Sequence, residues 1–308
     1  FFHVLILPKR NKTIHLFYYR NVFFTLYYYF WTYYYLNMTL KNRNRMILAL
    51  LWLSIGFLIL NSLILAHSIK TQVLPFSMLY NSERTGFFIF KIQQLYIVIG
   101  IFLQLMFAIV GTYVTYRSFV NTQSSEVLFF ALFIFAGLLD SFRLWIPAFN
   151  LQNTYSPLFL FCGNASLVST LLTPASLLIM CIHSFNEQKQ DTEKLVAIVI
   201  FIAIFTAVFI PLNTTKNLFN FTVAYSFKKI IVTYTIICYG LTLLINFLYN
   251  KQRTYDQKTT FGLLFLMIGY HAVRHSVNIA MVIVATLFLT MGSVFFIKEL
   301  HNQYLWTD

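Results

Sequence analysis

This chain is short of charge, and shortest of acid. Charged residues are 10% of its 308 positions and Asp and Glu together number 9, whereas a soluble globular chain is about 25% charged. With 59% of the residues hydrophobic, folding alone cannot hide the apolar surface from water, so the solvent must be lipid. Cysteine is scarce as well. Cys162, Cys181 and Cys238 each sit inside an apolar run with no CxxC pair, which excludes a disulfide framework and leaves packing as their role. A P-loop, a GxSxG elbow, an HExxH helix, a kinase- or cyclase-like segment and a repeat of fixed period are all missing from these residues. Those absences remove the common signatures of nucleotide binding, serine hydrolysis and zinc proteolysis.

What is there is cation and aromatic. A formal net charge of +13 would suit nucleic acid, but a phosphate track needs cations clustered on one face. Here Lys and Arg stand singly between apolar runs, the pattern of charges that flank membrane spans. The lipid bilayer is the expected partner and nucleic acid is not.

The opening stretch differs from the rest. "HLFYYRNVFFTLYYYFWTYYYLN" is crowded with Tyr and Phe, has little Ala, Gly or Val, and precedes the first methionine, Met38. That composition resembles translated AT-rich spacer more than a spanning helix. "MTLKNRNRMILALLWLSIGFLIL" follows: a methionine, cations, then an apolar run too long for the core of a cleaved signal. The expectation is that residues 1–37 are spurious upstream translation or disordered, and that 38–308 form a single transmembrane helical domain. An extra span over about residues 15–36 is the alternative.

A span needs about 20 apolar residues. Met46–Ala66, Leu95–Tyr116, Val127–Pro147, Leu158–His183, Leu195–Leu212 and Ile230–Leu248 come near that length. The run from Thr260 to Ile297 would be about 57 Å as one helix, against a hydrocarbon core of about 30 Å, so it must fold back. Its only polar break is His271–Asn278, most of it inside the segment "GYHAVRHS". Dividing there gives Thr259–His275 and Val277–Ile297. The expected fold is all-α, a polytopic bundle of about eight spans with both ends on one side. Lys and Arg favour the side of Lys41, Arg43 and Arg45 by ten to eight, which predicts an N-in/C-in arrangement. The longest outer segment, Ile69–Gln94, has room for a short surface helix.

Ionisable groups inside spans mark candidate sites. Asp140, the only acidic residue inside a span, lies in "GLLDSFRLWIPAF" with Arg143 at i+3, within reach on the same helix face. Such a pair can neutralise itself, with Trp145 as an interface anchor, or face the bundle interior and bind a polar ligand. Arg274 is the third candidate for ligand contact. His271 and His275 are four apart, the spacing by which one helix offers two imidazoles to a metal. With Asp140 and His67 they would make a zinc set; as plain turn residues they would need no metal. The fourth span carries Gly163, Asn164, Ser166, Ser169, Thr170, Thr173, Ser176 and Pro174. Small and hydroxyl residues suit close helix packing, so that span is expected to be central in the bundle or to line a cavity. Trp52 and Trp306 read as interfacial belt residues.

Three resemblances accompany these residues. "FFALFIFAGLLDSFRLW" and the terminal "IKELHNQYLW", with the short-loop layout, resemble uncharacterised polytopic membrane proteins of spirochaetes from about Met46 onward. The layout is similar to the multi-span sensor modules of bacterial membranes, which implies ligand sensing without chemistry. His271, His275 and Asp140 resemble the histidine pair and aspartate of the intramembrane hydrolases that include alkaline ceramidases. That likeness implies zinc and lipid hydrolysis, although the family's early serine–histidine motif has no counterpart here. The expected function is a non-enzymatic, sensor-like protein of a bacterial cytoplasmic membrane. It would bind a small polar or lipid ligand near its outer face, without a cofactor, and pass the signal to a membrane or signalling partner. A zinc-dependent lipid hydrolase and a small-molecule transporter are the alternatives. For a hydrolase, the metal would generate the nucleophile by lowering the pKa of bound water.

Overall fold

The computed structural model describes residues 40–73, 94–122, 124, 126–151, 156–185, 192–217, 220–252 and 257–305. Contacts divide the chain into Phe1–Met38 and Thr39–Asp308. The first unit, with the expectations for residues 1–37, lies outside the described residues. So do Trp306 and residues 74–93, where a surface helix was expected.

The second unit is helical. Its elements are α1 Leu40–Lys70, α2 Gln94–Phe119, α3 Glu126–Asp140, a 3-10 turn Ser141–Leu144 that runs into α4 Trp145–Ala148, α5 Pro157–Phe185, α6 Thr192–Phe209, α7 Lys228–Gln252, α8 Lys258–Arg274 and α9 Ile279–Leu305. Six of these are long and apolar enough to cross a membrane, with α3 to α4 taken as one. The count of eight therefore goes beyond what length and apolarity supply. The difference lies in α6 and α8, which have 18 and 17 residues. The fold is also not purely helical. Between α6 and α7, β1 Leu212–Asn217 and β2 Val223–Tyr225 form an antiparallel hairpin, with Leu212 opposite Tyr225 and Asn213 opposite Ala224. The stretch reads as a polar loop, but Thr214, Thr215, Thr222 and Val223 are β-branched and favour extended backbone.

Burial separates central from peripheral helices. The apolar windows of α3–α4 and α5 are 89% and 72% buried, whereas those of α1, α7 and α9 are 17%, 22% and 22% buried. The reason is visible in α1. Its buried residues include Ile47, Ser54, Asn61 and Ser68, one every two turns and so on a single stripe. Trp52 and Leu63 on the other faces are 66% and 63% exposed. This is a soluble amphipathic helix turned inside out: polar groups in, apolar groups out. Helix α7 repeats the pattern with Thr242, Asn246 and Asn250. The inward hydroxyls bond to carbonyls of their own helix, Ser54 to Leu50 and Thr242 to Cys238, each at 2.7 Å. Small satisfied side chains of this kind let helices approach closely.

The closest approach is between α8 and α9, which pack antiparallel, backbone to backbone. A Cβ added at Gly262 would lie 2.9 Å from the Phe296 nitrogen, at Gly269 2.8 Å from that of Leu289, and at Gly292 2.7 Å from that of Leu266. Helix α5, expected to be central, is so, and it runs through Pro174 without a break. In the turn before that proline, the Tyr234 hydroxyl of α7 donates to the Leu171 carbonyl at 3.0 Å. Cys162, Cys181 and Cys238 are buried and free.

Candidate functional site

Asp140 ends α3, and Arg143 follows one turn later in the 3-10 segment; both side chains are fully buried. Arg143 Nε lies 3.4 Å from Asp140 Oδ2. Arg274, the last residue of α8, brings Nη1 to 3.8 Å from Asp140 Oδ1. Ser166 of α5 donates its hydroxyl to the same Oδ1 at 3.0 Å and accepts from Arg274 Nη2 at 3.2 Å. One carboxylate thus gathers residues from α3, the 3-10 turn, α5 and α8.

Arg143 does a second job. Its Nη1 donates to the Arg274 carbonyl at 2.7 Å, and its Nη2 reaches the Val273 carbonyl at 3.5 Å. The last carbonyls of a helix have no intrahelical partner and carry the negative end of its dipole. Arg143 therefore caps α8 while it pairs with Asp140. The charges still do not cancel. Two guanidinium groups meet one carboxylate and a helix end worth about half a charge. Arg143 Nε, Arg274 Nη1, Ser276 Oγ and the acceptor Asp140 Oδ2 are buried with no hydrogen-bond partner among the described residues, although Arg143 Nε and Asp140 Oδ2 face each other as an ion pair at 3.4 Å. The direction of Arg274 is also unusual. A long cationic side chain near a helix end in a membrane snorkels outward to water; this one turns inward.

The surroundings fix these groups. Ser166, Ser169, Thr173 and Ser176 form one buried stripe on α5, and the Ser169 and Tyr270 hydroxyls lie 2.7 Å apart. Phe142, Ile146, Phe159, Cys162 and Val223 pack into an apolar cluster beside the site, joined by Leu212 of the hairpin. In the turn after α8, Ser276 rests on Gly100 of α2, where any Cβ would collide with its hydroxyl.

Of the residues singled out in the sequence, Asp140, Arg143 and Arg274 come together. Arg274 does so against one expectation, that it is a surface turn residue. The polar break is shorter than the sequence implies: His271–Arg274 are still helical, and the turn is confined to His275–Asn278. Arg274 is buried because that last helical turn aims it at Asp140. His271 and His275 remain exposed, with ring centroids 4.8 Å apart, and His67 is exposed in the last turn of α1. The Asp140 carboxylate faces its arginines and Ser166. Among the described residues, no group of three or more His, Cys, Asp or Glu is arranged to hold a metal ion. Trp145, expected as an interface anchor, also joins two helices. Its indole donates to Oδ1 of buried Asn61 at 3.2 Å, and its ring stands edge-on to Phe142, which locks α4 to α1. Ser166 and Tyr270 join the site without having been named for it. The spacing of the α5 hydroxyls, three or four apart, was the available signal for Ser166.

Comparison of the chain with protein-family models and with curated proteins returns no match. What the fold and site define is a helical membrane protein with a buried ionic cluster in which arginine outnumbers carboxylate.

Proposed function

We propose that this protein binds a small anion, a carboxylate or phosphate group, at the Asp140/Arg143/Arg274 cluster near its outer face, and that it acts as a sensor-like, non-enzymatic receptor. The observation that carries the reading is the excess of buried guanidinium over carboxylate, with N–H donors left unused. A buried donor without a partner costs about 1–3 kcal/mol, and an anion oxygen at Arg274 Nη1 would remove that cost while balancing the second guanidinium charge. The His275–Asn278 turn directly follows Arg274 and is the segment through which binding would be passed to a partner protein.

The topology that goes with this reading has eight crossings, N-in and C-in, in a bacterial cytoplasmic membrane. Helices α6 and α8 are then short spans near the lower limit of about 17 residues. The charge bias supports the orientation better after burial is considered. Arg43 on one side, and Arg143 and Arg274 on the other, are buried and do not act as flanking charge, so ten against eight becomes nine against six. Asp140→Asn and Arg143→Gln are expected to change the anion-dependent thermal stability of the detergent-purified protein while leaving membrane insertion intact. Unchanged phosphate-dependent melting in both variants would refute the assignment.

The adjacent, exposed His271 and His275 rings favour a second reading, a zinc-dependent lipid hydrolase. It requires Asp140 to leave its arginines. Near-stoichiometric zinc in the purified protein that is lost in His271→Ala/His275→Ala would move that reading to first place.

A further inference from the structure

A second feature lies at the opposite end of the bundle. An open groove of about 590 Å³ runs between α2 and α9, from Leu103 and Leu289 to Ser118 and His301. Over α2 this is about 22 Å of helix. Met106, Val110 and Val294 in its wall are 50%, 54% and 58% exposed. The hydroxyls along it are already satisfied within α9: Thr286 donates to Val282, Thr290 to Thr286 and Ser293 to Thr290. The wall is therefore apolar in effect although its sequence contains Thr and Ser. Only the far end is polar. Lys298 and His301 line it, and His301 Nδ1 is buried with no hydrogen-bond partner among the described residues. Exposed Arg117 in the last turn of α2 adds a second cation at that end.

We propose that this groove holds one acyl chain of an anionic phospholipid, with its phosphate met by Lys298 at the end that His301 also lines. A long apolar trough that ends in a cation matches a lipid in both shape and charge. A free phosphate would leave the trough empty, and a neutral lipid would leave the cationic end unmatched. Basic side chains at a membrane surface draw anionic headgroups, and the attraction is about fivefold in affinity for each Lys or Arg.

Native mass spectrometry of the full chain in detergent tests this, with phosphatidylglycerol and phosphatidylcholine of identical acyl chains added in competition. The expected result is a single retained lipid, with phosphatidylglycerol preferred. Lys298→Ala should reduce that preference about fivefold. Val110→Trp, which fills the groove from an exposed wall position, should remove the retained lipid of either kind. Ile236→Trp, on the exposed face of α7, controls for a general effect of a lipid-facing tryptophan and should retain it. Equal retention of both lipids that Lys298→Ala does not alter would overturn the headgroup assignment. Retention in Val110→Trp would overturn the groove as the site, and so would a dimer that Val110→Trp dissociates, because the groove would then belong to a second copy.

Discussion

Among the described residues, two buried arginine sites sit at opposite ends of this bundle, and they are built differently. At one end Arg43 of α1 is closed in by acceptors. Its Nη1 donates to the Thr122 and Ser124 carbonyls at 2.6 and 3.0 Å, and its Nη2 to the Phe119 carbonyl and to Asn44 Oδ1. It ties the start of α1 to the end of α2, and its terminal nitrogens are each doubly engaged. At the other end Arg143 caps α8 in a comparable way, but it shares a single carboxylate with Arg274, and donors remain unused. The first arrangement is a structural joint made with neutral backbone and amide acceptors. The second sets two guanidinium groups around one carboxylate. Burial of arginine alone would rank the two sites together; the setting of two guanidinium groups on one carboxylate, against one on neutral acceptors, separates them.

Substitutions can break that contrast. Asp140→Asn should cost the most, roughly 3–5 kcal/mol of stability, because two buried guanidinium groups lose their counter-charge; chemical unfolding in detergent measures it. Arg43→Gln comes next, at roughly 1.5–3 kcal/mol for lost charged hydrogen bonds, with no change in the response to anions. Gly269→Val should cost about 1–3 kcal/mol through overpacking. The same change pushes α8 from α9 and moves Arg274, so phosphate-dependent melting should weaken as well. Asn61→Ala removes the acceptor of the Trp145 indole, for about 0.5–1.5 kcal/mol. His271→Ala/His275→Ala, both exposed, should stay within about 0.5 kcal/mol of the parent. A larger loss there would mean that the imidazoles take part in the cluster.

Much of the architecture was legible because the bilayer fixes helix length. The runs ending at Ala66, Tyr116 and His183 each became a helix, and Asp140 stood out as the only acid within the apolar runs read from sequence, although the spans as folded also take in Glu126 and Glu299. The partners of Asp140 were legible only in part. Arg143 follows from i,i+3 spacing, but Arg274 comes from 134 residues away, as the numbering itself shows, and spacing carries no information about such a contact. The sequence reading also weighed polar residues singly. It missed the two-turn recurrence of Ile47, Ser54, Asn61 and Ser68, which marks the inward face of α1, and the role of Gly262, Gly269 and Gly292 in seating α9 on α8. Those glycines were passed over because only polar residues were weighed, as with His271 two positions after Gly269. The hairpin was hidden for another reason: six residues of Leu212–Asn217 are too few and too polar to stand out beside spans three times as long.

The most direct test compares the two arginine sites in one experiment. Thermal unfolding of the full chain, Arg274→Gln and Arg43→Gln is followed in detergent across a titration of inorganic phosphate, with chloride added to hold ionic strength constant. A saturable rise in melting temperature is predicted for the parent and for Arg43→Gln, and its loss in Arg274→Gln, since an anion that binds only the folded state stabilises it by mass action. No rise in the parent, or an equal rise in all three proteins, would contradict the account and leave the Asp140 cluster a structural joint like that of Arg43.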